Sequence, residues 1–217
     1  MIKVAASTLP PKLENLPEYI KELDALGVDY IHCDVMDGKF VSSSTYNSKM
    51  VKEIAGLTKI PLDVHLMVQK PRDVKKYIKA GAGIVTIHLE AEDDLEKVIK
   101  TLLKIAKLGA IPGISVNPAT PLDELWPVLG YAGLVLVMSV VPGKGGQAFM
   151  SEALQRVAET KQKLLELGLR DVLIEVDGGI NDKNIAQIKK AGADIAVVGN
   201  YLFSAQDRKN AIKILRA

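Results

Sequence analysis

The chain has only three histidines, His32, His65 and His88, and each lies in a short run of apolar and β-branched residues. We expect these runs to be the second, third and fourth strands of a sheet, with the histidines at the strand ends. One histidine in such a run more often belongs to the core, but three at the same edge of a sheet indicate a site. Imidazole combined with carboxylate is a ligand set that suits zinc, iron or manganese.

Acidic side chains share strand faces with these histidines. Burying carboxylates is costly unless something pairs them, and no lysine or arginine lies on these segments. A divalent cation held by two histidines and two aspartates would pair them, and the alternative is a hydrogen-bonded core cluster. Because side chains alternate between the two faces of a strand, three sets should each share a face: His32, Asp34 and Met36; Asp63, His65 and Met67; Glu175 and Asp177.

Other reactive groups favour no competing chemistry. Lys39, Lys70 and Lys144 lie in predicted loops, so a strand-borne lysine for Schiff-base chemistry is missing. Cys33 should face away from His32 and Asp34, which indicates packing.

Glycines cluster after the last three predicted strands, in residues 143–147, 178–179 and 199–200. Loops after the last strands of a barrel commonly hold phosphate through bare backbone N–H groups. Glycine also serves ordinary turns, but three clusters at one end favour a phosphorylated ligand.

A recurring pattern positions these groups: an amphipathic segment, a glycine and a short apolar run, as at Gly27, Gly81, Gly109 and Gly192. It predicts helices ended by left-handed glycines, each followed by a buried strand. Strands are expected near residues 2–6, 29–33, 61–66, 83–88, 110–116, 133–138, 171–176 and 194–198.

Between these strands, residues 151–167 have helical spacing, and we expect helix caps at Thr120-Pro121 and at Asn181. The acidic residues 90–94 are expected to be a solvated helix start. The pattern predicts one α/β domain over residues 1–217, a single (β/α)8 TIM barrel. A doubly wound sheet is the alternative, weakened because residues 7–10 read Ser-Thr-Leu-Pro where a glycine fingerprint would stand.

Composition narrows the partners. The formal net charge is +2 with mixed signs, only three phenylalanines and one tryptophan are present, and no apolar run reaches membrane-spanning length. We therefore expect a small-molecule partner, not nucleic acid or a membrane. One cysteine and no signal-peptide pattern predict a cytoplasmic protein. We also expect a homo-oligomer.

Five motifs in order across the chain resemble the ribulose-phosphate 3-epimerase family. They are residues 32–40 (His-Cys-Asp-Val-Met-Asp-Gly-Lys-Phe), 63–68 (Asp-Val-His-Leu-Met-Val), 116–121 (Val-Asn-Pro-Ala-Thr-Pro), 137–147 (Val-Met-Ser-Val-Val-Pro-Gly-Lys-Gly-Gly-Gln) and 175–180 (Glu-Val-Asp-Gly-Gly-Ile). The first is the most specific.

The resemblance implies a metal-dependent interconversion of D-ribulose 5-phosphate and D-xylulose 5-phosphate in the pentose phosphate pathway. It implies one divalent cation (Zn²⁺, Fe²⁺, Mn²⁺ or Co²⁺) on His32, Asp34, His65 and Asp177, with Asp34 and Asp177 as the acid/base pair. The implied substrate-binding residues are Ser7, Met36, His65, Met67, Met138, Gly143, Lys144, Gly145, Gly146, Asp177, Gly178, Gly179, Gly199 and Asn200.

Some loop residues depart from the family pattern. The family usually has Asn-Pro-Gly-Phe-Gly-Gly where residues 141–146 read Val-Pro-Gly-Lys-Gly-Gly, Val-Pro-Asn where residues 41–43 read Val-Ser-Ser, and Gly-Ser at Gly199-Asn200. These loops would meet the sugar or its phosphate, so allulose-6-phosphate 3-epimerase is an alternative. A phosphate-binding decarboxylase or synthase on the same barrel, or a barrel that only binds sugar phosphate, is disfavoured by the intact histidine and aspartate set.

Overall fold

Eight parallel strands close into one barrel in chain order, so that β8 pairs with β1. The computed structural model describes all residues, 1–217. The strands are β1 Lys3–Ser7, β2 Tyr30–Met36, β3 Leu62–Met67, β4 Ala82–His88, β5 Ile111–Val116, β6 Leu134–Met138, β7 Leu173–Asp177 and β8 Ile195–Val198. The fold is a single (β/α)8 TIM barrel, as predicted.

Helices surround the barrel. They are α1 Leu16–Leu26, α2 Ser48–Ala55, α3 Val74–Lys79, α4 Leu95–Lys107, α5 Glu152–Glu166, α6 Ile185–Ala191, α7 Asn200–Phe203 and α8 Arg208–Arg216, with 3₁₀ segments at Leu13–Asn15, Leu89–Ala91 and Leu122–Tyr131. None of them combines the length and apolar character that crossing a membrane requires. Gly27 and Gly192, with φ of 67° and 110°, end α1 and α6 as the glycine pattern predicted.

Two local predictions were wrong, and a third was right only in part. The segment after β5 is a 3₁₀ helix, because Pro127 inside it supplies no backbone N–H for a regular α-helix, and Thr120 does not cap it. Helix α6 begins after Asn184, whereas Asn181 forms the preceding turn by accepting a hydrogen bond from Lys183 N. Helix α4 does begin after the acidic residues 90–94, with Asp94 as its cap, but Glu90 is part of a buried network.

The core has two parts. A large apolar cluster fills the space between the strands and the helices. Inside the barrel, apolar side chains come mainly from β1, β6 and β8, and include Ala5, Leu134, Leu136, Ile195 and Val197. The remaining interior carries buried polar side chains on β2, β3, β4, β5 and β7, namely His32, Asp63, His65, Thr86, His88, Ser115 and Glu175. The polar part of the interior leads directly to the candidate site.

Candidate active site

Four side chains converge at the carboxyl ends of β2, β3 and β7. His32, Asp34, His65 and Asp177 each offer one ligand atom, and these atoms all lie within 4.8 Å of one another. Asp34 pairs with His65 across β2 and β3, while His32 pairs with Asp63 two residues earlier. His32 therefore lies inside β2 and not at its end, because the strand continues to Met36. The four side chains still meet.

His32 is oriented by Asp63. Its Nδ1 lies 2.5 Å from Asp63 Oδ2, and both side chains are fully buried. A neutral imidazole has one donor and one acceptor nitrogen, so a proton on Nδ1 leaves the Nε2 lone pair free. Nε2 lies 3.3 Å from Asp34 Oδ1 but makes no hydrogen bond of acceptable geometry. An unpartnered buried nitrogen beside a carboxylate fits a metal ligand.

His65 presents its other ring nitrogen. Its Nδ1 lies 3.1 Å from Asp34 Oδ1, and its Nε2 lies 2.8 Å from His88 Nε2. The rings of His65 and His88 are stacked, with centroids 4.9 Å apart. Each of the two histidines thus turns one nitrogen toward Asp34 and uses the other to contact a buried neighbour. The set of two imidazoles and two carboxylates could hold a divalent cation.

The two aspartates experience opposite electrostatic environments. Burial alone would raise the pKa of Asp34, but His32 and His65 beside it outweigh burial and lower that pKa. Burial, followed by the charge of Asp34, raises the pKa of Asp177 to about 6. Two carboxyl groups whose pKa values are pushed apart are suited to separate acid and base roles.

A cavity of about 940 Å³ opens above these groups at the barrel mouth. Asp34 and Asp177 line it, whereas His32 and His65 are fully buried below. All the other residues expected to contact substrate line the cavity: Ser7, Met36, Met67, Met138, Gly143, Lys144, Gly145, Gly146, Gly178, Gly179, Gly199 and Asn200.

The loops after β6 and β7 interlock at one side of this cavity. The carbonyl oxygens of Asp177 and Gly178 share the single hydroxyl proton of Ser139, at 2.8 and 2.7 Å from its Oγ. Gly179 has φ of 64°, and a Cβ there would lie 2.5 Å from Phe149 N. The backbone N–H groups of Gly178 and Gly179 donate no hydrogen bond within the chain. Such free, fixed N–H groups suit an anion.

Sequence reasoning missed several supporting groups. Sequence reasoning predicted that Asp63 shares a strand face with His65 but assigned it no role, and it gave no reason to expect Ser139 or Gln147 to support the site. Gln147 Nε2 donates to the carbonyl oxygens of Val141 and Lys144, at 2.7 Å each, and so closes the loop after β6. The sequence holds one signal for Asp63: it lies two residues before His65 on β3, so the two side chains share a face.

Comparison with known proteins agrees with this site. Residues 3–203 match the family model described as the ribulose-phosphate 3 epimerase family. The ribulose-phosphate 3-epimerase of Bacillus subtilis is 40% identical over 217 residues, which cover 100% of this chain and 99% of the relative. That of Synechocystis is 43% identical, covering 99% of this chain and 93% of the relative.

Solved structures with lower sequence identity share the fold. A 3-hexulose-6-phosphate synthase superposes with a TM-score of 0.71 at 16% identity, covering 99% of this chain and 98% of that one. A 3-keto-L-gulonate-6-phosphate decarboxylase from Vibrio cholerae gives 0.74 at 11% identity, covering 100% and 96%. At such identities the likeness concerns the barrel alone. The family match and the full-length relatives decide the identity: the chain belongs to the ribulose-phosphate 3-epimerase family of enzymes.

Proposed function

We propose that this enzyme interconverts D-ribulose 5-phosphate and D-xylulose 5-phosphate by moving the proton on C3, with a bound divalent cation. One observation carries the proposal: two aspartates with oppositely shifted pKa values meet two buried histidines at the floor of a cavity edged by glycine loops. The names of the full-length relatives support the same reaction.

The cation would be held by His32, Asp34, His65 and Asp177. The unpartnered Nε2 of His32 and the close approach of four donor atoms support this ligand set. When bound, such a cation supplies Lewis-acid stabilisation of the negative charge that develops on the sugar oxygens. Zn²⁺, Fe²⁺, Mn²⁺ and Co²⁺ all suit two imidazoles and two carboxylates.

Epimerisation at C3 needs two proton-transfer groups, because the proton leaves one face of the carbon and returns to the other. Asp34 on β2 and Asp177 on β7 stand three strands apart around the barrel and both line the cavity. The lowered pKa keeps Asp34 ionised and able to accept a proton, and the raised pKa helps Asp177 to hold a proton that it can donate. The two roles exchange in the reverse reaction. Positioned acid–base groups typically contribute about 10²–10⁴-fold to a rate.

The remaining cavity residues suit a sugar phosphate. The side chains of Met36, Met67 and Met138 are almost fully buried at the ends of β2, β3 and β6, where they line the cavity. These side chains would limit water near the enediolate, the intermediate that forms when the proton on C3 of the ketose is removed. The phosphate would bind at the glycines after β6, β7 and β8, where Gly178 and Gly179 have free N–H groups. Ser7 would donate a hydrogen bond to the sugar.

Three wider proposals accompany this function. Residues 1–217 form one epimerase domain, supported by barrel closure and by α8, which packs against β1. The enzyme works in the reducing cytoplasm, supported by its single, buried cysteine, Cys33. It acts as a homo-oligomer on a small-molecule sugar phosphate.

The test is a coupled assay of the purified protein on ribulose 5-phosphate and allulose 6-phosphate side by side, because Lys144 and Asn200 line the mouth where a longer sugar would extend. We expect a higher kcat/KM for the pentulose phosphate. Activity should disappear with a chelator and return with a divalent ion. A preference for allulose 6-phosphate would reassign the substrate, and full activity in metal-free protein would overturn the metal site.

A further inference from the structure

The loop after β2, residues 37–45, reaches across the mouth of the barrel. In the closed ring of eight strands β6 lies opposite β2, yet a Cβ at Gly143, in the loop after β6, would lie only 2.9 Å from Val41 Cβ. On the way across, the Phe40 ring lies against the buried His88 of β4, with centroids 4.9 Å apart. No residue of β4, of β5 or of the loops after them lines the cavity. The loop after β2 therefore crosses the side of the mouth that the cavity does not use.

The base of this loop is fixed to its own strand. Asp37 and Ser44 form an antiparallel bridge where the chain leaves β2 and returns to it. The hydroxyl of Thr45 donates a hydrogen bond to the carbonyl oxygen of Asp34 at 2.6 Å and accepts one from Met36 N at 2.9 Å. The position of the loop across the mouth therefore depends on contacts nearer its tip.

Asp37 makes those contacts. Its Oδ1 accepts hydrogen bonds from Lys39 N at 2.8 Å and from Phe40 N at 2.9 Å, and its Oδ2 accepts one from Gln69 N, in the loop after β3, at 2.9 Å. Burial would raise the pKa of Asp37, but these backbone N–H groups outweigh it and lower that pKa. One carboxylate thus joins the loops after β2 and β3 and fixes the direction in which Phe40 and Val41 extend.

We propose that Asp37 is a positioning residue for the phosphate end of the substrate, because it holds Val41 across the mouth as a support for Gly143. This inference rests on the proposed function, which places the phosphate at the glycines after β6, β7 and β8. The space beside Gly143 is filled by Val41, so the loop after β6 rests on that side chain. A site that is in its binding arrangement only part of the time loses apparent affinity in proportion. Releasing the tip from Asp37 would therefore weaken phosphate binding.

Asp37→Asn tests the proposal with almost no change of shape. In either orientation the NH₂ of asparagine faces at least one of the three backbone N–H donors, so at least one hydrogen bond is lost. The matched control is Asp73→Asn in the loop after β3, because the Asp73 carboxylate is 70% exposed and does not cap α3. A second variant, Val41→Ala, leaves Asp37 untouched and removes the two methyl groups that lie 3.2 and 3.5 Å from a Cβ at Gly143.

Inhibition by inorganic phosphate, measured against ribulose 5-phosphate, reports on the phosphate site. We expect KM and the phosphate inhibition constant to rise about tenfold in Asp37→Asn and in Val41→Ala, with kcat changed less, and to stay the same in Asp73→Asn. Because both residues would act through one contact, the double variant should bind phosphate no more weakly than the weaker single variant.

Backbone amide NMR supplies a readout that needs no substrate. In Asp37→Asn the signal of Gly143 should shift, although Gly143 follows a strand on the opposite side of the barrel. A purely local role of Asp37 would shift only the signals of Lys39, Phe40, Gln69 and their neighbours.

The outcomes separate the two levels of inference. Natural protein that does not act on ribulose 5-phosphate would remove the proposed function, while the Gly143 signal and the dissociation constant of inorganic phosphate would still test the role of Asp37. Unchanged phosphate affinity or an unmoved Gly143 signal in Asp37→Asn would overturn that role, and so would additive effects in the double variant. If Asp37→Asn does not fold, Val41→Ala decides, since unchanged phosphate affinity in that variant is incompatible with the proposal.

Discussion

Replacing Gly179 with alanine should damage both the stability of the barrel and its phosphate site. Gly179 has φ of 64°, and left-handed backbone costs a residue with a Cβ roughly 1–2 kcal/mol. The new Cβ would lie 2.5 Å from Phe149 N and 2.9 Å from Gln147 O, so backbone must shift. Overpacking of this kind costs about 1–3 kcal/mol. Alanine also lowers the conformational entropy of the unfolded chain, but this stabilises the folded state by only about 0.4–1 kcal/mol. We therefore expect the free energy of unfolding, measured by urea titration, to fall by about 1–4.5 kcal/mol.

The same shift would displace the free N–H groups of Gly178 and Gly179. Losing one hydrogen bond to a charged phosphate is worth about 1.5–3 kcal/mol, so KM for the sugar phosphate should rise about 10–100-fold. Gly130→Ala is the matched control, because its Cβ would meet no atom within 4 Å and Gly130 lies in the 3₁₀ segment after β5, outside the cavity lining. It should change the free energy of unfolding by less than about 0.5 kcal/mol. A Gly179→Ala variant as stable as this control, with unchanged KM, would refute the reasoning.

Four further predictions follow from the site. Asp34→Asn and Asp177→Asn should each abolish net epimerisation, and the natural enzyme in deuterated water should incorporate deuterium at C3; near-normal turnover in either variant would remove that aspartate from proton transfer. Because His32 turns Nε2 toward Asp34 and His65 turns Nδ1, glutamine should keep more Zn²⁺ affinity than asparagine at position 32, and asparagine more than glutamine at position 65. Lys144 is exposed on the cavity rim, so it should contribute about 0–1 kcal/mol to the binding free energy of the sugar phosphate. Lys144→Ala should therefore raise KM up to about fivefold at low salt and less at high salt, with kcat unchanged. Equal KM values for the variant and the natural enzyme at low salt would show that Lys144 does not contact the substrate. In metal-free protein the raised pKa of Asp177 means that the folded state holds a proton between about pH 4 and 6 that the unfolded state has lost, so stability falls as pH rises through this window. Asp177→Asn should remove that fall, so the variant should be about 1–3 kcal/mol more stable than its parent at pH 7 but not at pH 4. If the variant and its parent have equal urea midpoints at both pH values, the raised pKa of Asp177 is contradicted.

Much of the fold could be predicted because four of the eight strands, β2, β4, β5 and β8, follow a glycine at or just after the end of a helix. That signal is local, and the predicted strand bounds differ from the structure by at most three residues, the largest difference being at β2, which runs to Met36. Alternation along single strands also predicted that His32 and Asp34 share a face of β2, and both belong to the four-residue cluster. Local patterns decide such features, since they depend on neighbours in sequence.

The supporting groups could not be predicted, because their contacts join residues that are far apart in the sequence. Glu90 stood in an acidic run typical of a solvated helix start, and Asp94 in the same run does cap α4. Glu90 differs from Asp94 because it contacts the loop after β5. Asn117 in that loop is 27 residues away in sequence and reaches Glu90 because β5 pairs with β4. Thr120 does not cap the following 3₁₀ helix, which begins after Pro121, and its hydroxyl donates a hydrogen bond to Glu90.

The unsatisfied polar atoms of the barrel interior show what the site demands of the fold. His32 Nε2, Asp63 Oδ1 and both carboxyl oxygens of Glu175 are buried without hydrogen-bond partners, and all lie around one histidine. An unpaired buried polar group costs about 1–3 kcal/mol of folding free energy, so these atoms destabilise the folded chain unless a further group binds to them. A cation at His32 Nε2 would remove part of that cost, and binding to the folded state alone stabilises the fold. The apolar strands β1, β6 and β8 on the other side of the interior support this arrangement, because their packing does not depend on the metal.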